Sequence, residues 1–555
     1  MRRVRGVAWI SALAVTLLPL LARAAEEAAA ESQSLAQSID GVFGAVVSKL
    51  APVLFWEPGI PMPFIVLVLL FGAVFYTIYH RFLNFRGFKH AVHITMGRYD
   101  DPKDPGEISH LQALSSALSA TIGLGNIAGV AVAIWVGGPG AVFWMVVLGL
   151  LGMSAKLHEC TLAQLYRRIE PDGTVHGGPM YYLEHGLKER GFGGLGRVLA
   201  VVFAVFCVFG SFGGGNMFQA NQAFAAAKGQ LDFLSSDQAS LYFGLFLALM
   251  VGLVIIGGIK SIGRVAERII PLMCGLYLLA GVVVVFTHVS HVPEAISVIL
   301  SEAFHPDALY GGFIGVLVQG TRRAVFSNEA GIGSAAIAHA AAKTTEPARE
   351  GMVAMLGPFI DTVVICAMTG IILVVSGAYD LRADFETKAG PFDLSDGQTL
   401  ALAMTDGTGA DVEQVVTFEA AAFADIHHAT AEEVRSVFAA QLHDVRTTVT
   451  HAGGAYVLAK ENQRLVVAEG PTLAALGLTA GVSQGAGTGV EMTRWAFADT
   501  MSWFPWLLAI SIMLFAYSTM ISWSYYGERA FNYLFGRSHA ATLVYRVMFL
   551  FFVVV

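Results

Sequence analysis

Apolar runs of about 20 residues recur along most of this chain, and they leave few folds open to it. A helix of roughly 20 residues crosses the hydrocarbon core of a bilayer. Lipid offers no hydrogen bonds, so a backbone inside it must satisfy itself, and a helix does so within one segment. Composition agrees: 55% of the 555 residues are hydrophobic and 14% are charged, against roughly 25% charged in soluble domains. The mean hydropathy is +0.62. An all-α membrane fold is expected. The net charge of −8 offers no basic surface for nucleic acid. Cys160, Cys207, Cys274 and Cys366 lie singly in apolar runs, which suits packing and neither a metal site nor a disulfide framework.

Arg2, Arg3 and Arg5 precede an apolar stretch over 7–21, and Ala22-Arg23-Ala24 follows it. This is the pattern of a signal peptide over 1–24, with an uncleaved first helix as the alternative. Residues 25–108 are expected to hold an extracytoplasmic segment, an extra membrane helix near 61–82, and a basic loop. That loop carries Arg81, Arg86, Lys89 and Arg98 and should face the cytoplasm. Nine further spans begin near Leu111, Gly140, Arg197, Ala239, Arg264, Gly311, Gly351, Phe504 and Ala540. The loops between them alternate in sign. Arg167 and Arg168, Lys260 to Arg268, Lys343 and Arg349, and Arg529 and Arg537 fall on one side. Asp232, Asp237, Glu294, Glu302 and Asp307 fall on the other. A multi-pass protein of a bacterial cytoplasmic (inner) membrane is expected. Spans one to seven occupy 109–378 and spans eight and nine occupy 500–555. The chain stops inside an apolar run, so a last core helix is expected to be missing.

Residues 379–499 break the pattern, with ten more acidic than basic residues. Thr430-x-x-Glu433 has the form of a capping box opening a helix with Val434, Val437, Phe438 and Leu442 on one face. Alternating runs at 447–450, 456–458 and 465–468 read as short strands. A small α+β insertion on the extracytoplasmic face is expected, a tolerated loop or a gating or partner-binding element.

Two spans are unusually rich in glycine and amide. One is Ser119-Ala-Thr-Ile-Gly-Leu-Gly-Asn126-Ile-Ala-Gly129, the other Phe326-Ser-Asn-Glu-Ala-Gly331-Ile-Gly-Ser-Ala335. Glycine weakens a helix interior, and a broken helix survives in lipid only against protein or a polar cavity. The two breaks begin spans one and six, as the discontinuous helices of inverted-repeat transporters do. Their free N–H groups suit a carboxylate and their free carbonyls a cation. For either break alone, close packing of small residues is the competing explanation. Glu329 is a carboxylate within a span, which is costly unless paired or functional. It can take a proton, hold freed backbone, or touch the cargo. Asn216 and Gln219 are three residues apart on span three and should share a helix face. Ser518 and Thr519 on span eight offer hard oxygen ligands of the kind sodium prefers, or bond back to their own helix. Trp523, one turn beyond, can wall a small pocket or anchor at the interface.

These motifs resemble the alanine/glycine:cation symporter family, the sodium:alanine symporters. The carrying stretches are 121–134 with Gly137-Gly138-Pro139-Gly140, Gly177-Gly178-Pro179-Met180-Tyr181-Tyr182, 326–343 and Ser522-Trp523-Ser524-Tyr525-Tyr526-Gly527-Glu528. The resemblance implies a five-plus-five inverted-repeat core like that of the leucine-type transporters, with discontinuous helices one and six. It implies that Gly123, Leu124, Gly125 and Asn126 hold the substrate carboxylate. Gln219, the 326–331 stretch with Phe326, Asn328, Glu329 and Gly331, and Trp523 would complete the pocket, with Asn216 beside Gln219. Sodium would sit between Ser119 and Ile122 on helix one and Phe515, Ser518 and Thr519 on helix eight. Alanine or glycine would be the cargo, sodium the coupling ion with no other cofactor, and the protein a monomer. Two departures stand out: the 379–499 insertion, and the end at Val555.

Sodium-driven symport of a small neutral amino acid is therefore the expected function, with proton coupling through Glu329 as a variant. An amino-acid receptor built on a transporter core is the rival. An intramembrane hydrolase finds little support, since His158-Glu159 lacks a second histidine at metal-ligand spacing.

Overall fold

The computed structural model describes residues 62–554 except 237, 305–311, 381–384, 406–410, 443–444, 450–453, 460–463, 469, 471 and 479–488, together with 44, 48, 49, 52 and 55–59. The expected signal peptide lies outside the described residues, as do Asp237 and Asp307.

The molecule is mostly helical. In chain order the principal helices are α1 (Phe64–Tyr79), α2 (His110–Thr121), α3 (Ala128–Gly137), α4 (Gly140–Leu165), α5 (Gly193–Lys228), α6 (Ala239–Ile255), α7 (Gly258–Thr287) and α8 (Val292–Phe304). Then come α9 (Gly312–Asn328), α10 (Ala335–His339), α11 (Pro347–Val375), α12 (Ala431–Gln441), α13 (Val490–Thr500), α14 (Phe504–Phe535) and α15 (His539–Val554). Five of them (α4, α5, α7, α11 and α14) are long and apolar enough to cross a membrane, and α2 with α3 forms a sixth, bent span. The shorter helices α1, α6 and α15 are also apolar. Many large side chains on their outer faces are exposed, among them Phe71, Leu253, Leu279 and Phe286. Lipid is the solvent that such surfaces require.

Helix α2 begins at a complete capping box, Ser109 with Gln112. It packs on α7 and α14, while α4 packs on α9, α11 and α8. Two departures from α geometry shape the interior. Residues Gly213–Met217 of α5 and Phe359–Cys366 of α11 form π turns, a local widening often found at functional sites.

Between α11 and α13 the chain forms the α+β unit. Strands β1 (Phe385–Ala389), β5 (Gly454–Ala459) and β4 (Val445–Val449) make one antiparallel sheet in the order β1-β5-β4. Strands β3 (Asp411–Phe418), β2 (Gln398–Thr405) and β6 (Arg464–Val467) make another in the order β3-β2-β6. Leu400 and Leu402 of β2 turn inward with Val416 and Phe418 of β3, onto Val434, Val437 and Phe438 of α12. The helix and β4 to β6 lie where the sequence places them, and the Thr430–Glu433 capping box is formed. Strands β1 to β3 were not anticipated. The unit also ends earlier than expected: α13 returns to the helical core, burying Met492, Ala496 and Phe497 near Tyr277 and Phe504.

Candidate substrate and ion site

The first glycine-amide stretch is broken. Helix α2 stops at Ile122, whose ψ of 93° is extended, and α3 resumes at Ala128 after a 63° bend. Gly123 donates its N–H to the side chain of Asn126 at 2.8 Å instead of to a carbonyl one turn back. The N–H groups of Leu124 and Gly125 and the carbonyls of Thr121 and Ile122 find no hydrogen-bond partner among the described residues. Ile122, Leu124, Asn126 and Ile127 are fully buried. Unpaired main-chain dipoles in such a place are costly unless something polar meets them.

The second stretch is broken later than its first glycine-amide residue suggests. Helix α9 continues through Phe326 to Asn328, and the chain then leaves helical geometry until Ala335. Glu329 adopts a left-handed φ of 53°, with Gly331 at 84° and Gly333 at 93°. Helix α4 staples this break. Lys156 donates to the Glu329 carbonyl at 3.1 Å, and Glu159 accepts the Gly331 N–H at 3.0 Å. The two side chains pair with each other at 3.1 Å. The Ser334 hydroxyl donates to the Glu329 carboxylate, which ties the two ends of the break together through side chains.

Asp361, in the π turn of α11, joins the two breaks. Its carboxylate accepts from Asn126 at 2.7 Å, Ser327 at 2.7 Å and Thr362 at 2.7 Å. Asn328 donates to the Thr362 hydroxyl at 2.9 Å and accepts from the Ala330 N–H at 2.9 Å. Thr369 closes the array by donating to the Asn126 carbonyl at 2.7 Å. Asn126 and Asn328 are thus built into the frame of the site by their side chains. Sequence reasoning missed Asp361 and Lys156 and read Glu159 only as a failed metal motif. A charged residue inside an apolar span was the signal that could have found all three.

Helix α14 supplies the opposite wall. Ser119 donates to the Ser518 carbonyl at 2.6 Å, and Ser518 and Thr519 both bond back to the Phe515 carbonyl at 2.9 Å. A Cβ on Gly123 would lie 2.8 Å from the Thr519 hydroxyl and 3.6 Å from the Gln219 side-chain oxygen. That oxygen is buried without a partner among the described residues. Ser119, Ile122, Phe515, Ser518 and Thr519 are all buried; hydrogen bonds join Ser119, Ser518, Thr519 and Phe515, and the Met273 sulfur lies 3.5 Å from the Ser518 hydroxyl.

Asn216 and Gln219 do not share a face, because the π turn widens the helix between them. Asn216 donates to the Phe549 carbonyl of α15 at 2.7 Å, whereas Gln219 turns to the Gly214 carbonyl at 3.0 Å and to the first break. Trp523 lies against Gly210 and Gly215 of α5, where a Cβ on Gly215 would meet the indole at 2.5 Å. Phe326 packs against Gly125, and with Trp523 and Gly331 it lines a cavity of about 760 Å³.

Known proteins are similar to this chain. The profile described as the sodium:alanine symporter family matches residues 45–425 and 465–555. The sodium/alanine symporter AgcS of Methanococcus maripaludis is 34% identical over 488 residues, covering 88% of this chain and 83% of its own. The probable sodium/glutamine symporter GlnT of Bacillus subtilis is 36% identical over 316 residues, 57% of this chain and 63% of its own. Among solved structures, MhsT in complex with L-phenylalanine aligns over 81% of this chain and 79% of its own, at 14% identity and a TM-score of 0.42. With its profile matched over most of the length and a full-length relative at this identity, the chain belongs to the sodium:alanine symporter family.

Proposed function

We propose that this protein carries a small neutral amino acid, alanine first and glycine with it, across the membrane together with sodium. The observation that carries the reading is the first break. The N–H groups of Leu124 and Gly125 and the carbonyls of Thr121 and Ile122 have no partner among the described residues, and Gly123 between them faces Thr519 and Gln219. A zwitterion answers the donors and a cation answers the acceptors.

In this reading the amino-acid carboxylate lies on the 123–126 backbone at the start of α3, where the helix partial charge favours an anion. The unpartnered Gln219 oxygen takes the ammonium group. Phe326 and Trp523 bound the side-chain space and keep it small. Asn126, Asn328 and Glu329 act as frame, and Gly331 gives the turn its left-handed φ. Sodium takes the carbonyls of Ser119, Ile122 and Phe515 with the hydroxyls of Ser518 and Thr519, which swing from their own helix. Each ligand then tightens the other by the same factor. The core is a five-plus-five inverted repeat whose loaded site changes face as one helix group rocks on the other. The α+β unit lies outside the cytoplasm, and the membrane is the bacterial inner one.

Radiolabelled alanine uptake into proteoliposomes, with sodium outside, on both sides or absent, tests the proposal. Accumulation should require the inward sodium gradient. Binding without accumulation would make the protein a receptor, and release of a modified product would make it an enzyme. Thr519→Val should raise the sodium requirement, and Trp523→Ala should admit larger side chains or stop uptake. Unaltered sodium dependence in the first, or unaltered selectivity in the second, removes that residue from the site.

A further inference from the structure

Helix α1 stands against α4 and α9, and the cavity of about 760 Å³ opens beside it. Its walls are hydrocarbon for most of their extent, with Val66 and Leu69 from α1, Phe206 from α5 and Phe326 from α9. Two guanidinium groups also face it, those of Arg322 and Arg323 on α9. Arg322 lies over the Phe55 ring, 5.0 Å from its centroid. Neither guanidinium group makes an ion pair or hydrogen bond among the described residues.

The depth of this pair is marked by aromatic residues. The Trp56 and Phe64 rings meet tilted at the start of α1, 5.9 Å apart, beside Phe55, and the basic loop with Arg81 and Arg86 lies at the opposite end of α1. Aromatic clusters at the ends of membrane helices sit at the headgroup level. The arginines therefore reach the headgroup region, and the cavity runs from them past Gly331 to Ser334 and Trp523. Two unpaired cations above an apolar slot fit an amphiphile with one anionic head.

We propose that this cavity is a site for an anionic phospholipid, whose phosphate rests on Arg322 and Arg323 and whose acyl chain fills the slot between α1, α5 and α9. Guanidinium forks match phosphate oxygens in pairs, and among the described residues no acidic side chain lines the slot to oppose them. The acyl chain would bear on Phe326 and Trp523 from outside the proposed pocket. The site itself needs neither sodium nor amino acid, so it stands whether or not the transport reading does.

The test is native mass spectrometry of the full chain, purified from proteoliposomes of phosphatidylcholine with about 20% phosphatidylglycerol. The wild type should retain one phosphatidylglycerol, about tenfold in preference to phosphatidylcholine after correction for mole fraction. Arg322→Gln/Arg323→Gln should lose that preference. Ile332→Trp, which narrows the slot and spares both arginines, should lose retained lipid of either kind. Equal retention of the two lipids by the wild type overturns the proposal without any variant. So does undiminished preference in the double variant. Loss of bound phosphatidylglycerol on adding millimolar inorganic phosphate would mean that a free anion suffices, and loss on adding alanine would give the arginines to the cargo. Either result also overturns it.

Discussion

The two breaks look alike in sequence and are held by opposite means. The first, between α2 and α3, is framed by uncharged donors around one carboxylate: Asn126, Ser327 and Thr362 on Asp361. Its N–H groups at Leu124 and Gly125 stay unbonded among the described residues. The second, between α9 and α10, is clamped by an ion pair from α4, with Lys156 on a carbonyl and Glu159 on an N–H. At the first break no charged side chain among the described residues bonds the freed backbone, whereas at the second one carbonyl and one N–H are held by the charged side chains of α4. In the proposed reading the first break binds the cargo and the second, held by α4, turns the chain.

The largest test of that contrast is Lys156→Met. It leaves Glu159 buried and without its cation, a loss of about 3–5 kcal/mol, and should empty the membrane of folded protein or abolish uptake. Adding Glu159→Gln removes the stranded charge and should restore much of the melting temperature, read by thermal shift in detergent. Failure of that rescue would show that the clamp is not electrostatic. Asp361→Asn should cost about 2 kcal/mol, since hydrogen bonds to a charged acceptor are worth roughly that much. Because this network shapes the binding break, uptake should fall more than stability, by about tenfold at subsaturating alanine. Equal effects on both would erase the distinction between the breaks. Gly123→Ala places a methyl 2.8 Å from the Thr519 hydroxyl. That hydroxyl can rotate, so the stability loss should be only about 1 kcal/mol, while the half-saturating sodium concentration rises severalfold.

The smallest effect belongs to a third backbone terminus, one in water. At the start of α12 the Glu433 carboxylate accepts the N–H groups of Ala424 and Thr430 and the Thr430 hydroxyl, in that order of effect, which holds it below its usual 4.5. A lowered carboxylate pKa gives stability that is present above the unfolded value and lost as pH falls through the folded one. Amide exchange at 431–434 should therefore quicken below about pH 4.5, with α14 unaffected. Water satisfies what this cap releases, so the change should be slight beside the buried breaks.

Much of the first break was legible because its causes are local. Gly123, Gly125 and Asn126 weaken the helix by their own backbone preferences and a side chain three residues away. The capping boxes at Ser109 and Thr430 were equally local, and the second was read correctly. What was not legible depends on remote partners. Asn126 meets Asp361 across 235 positions and Lys156 meets the Glu329 carbonyl across 173. Asn216 and Gln219 were paired by ideal helix spacing, which the π turn at 213–217 undoes. Strands β2 and β3 had a visible period of two at Leu400 and Leu402 and at Val416 and Phe418. The acidic composition around them masked it.

Chain chemistry alone settled that this protein lives in lipid and where two of its helices must stop, because apolar length and glycine content act within a single turn or span. Which unpaired main-chain groups stay open, and which are closed by Lys156, Glu159 and Asp361, was decided only when α4 and α11 packed beside the breaks. Hydrogen-bond geometry is a matter of ångströms in space, and no spacing along a chain encodes it.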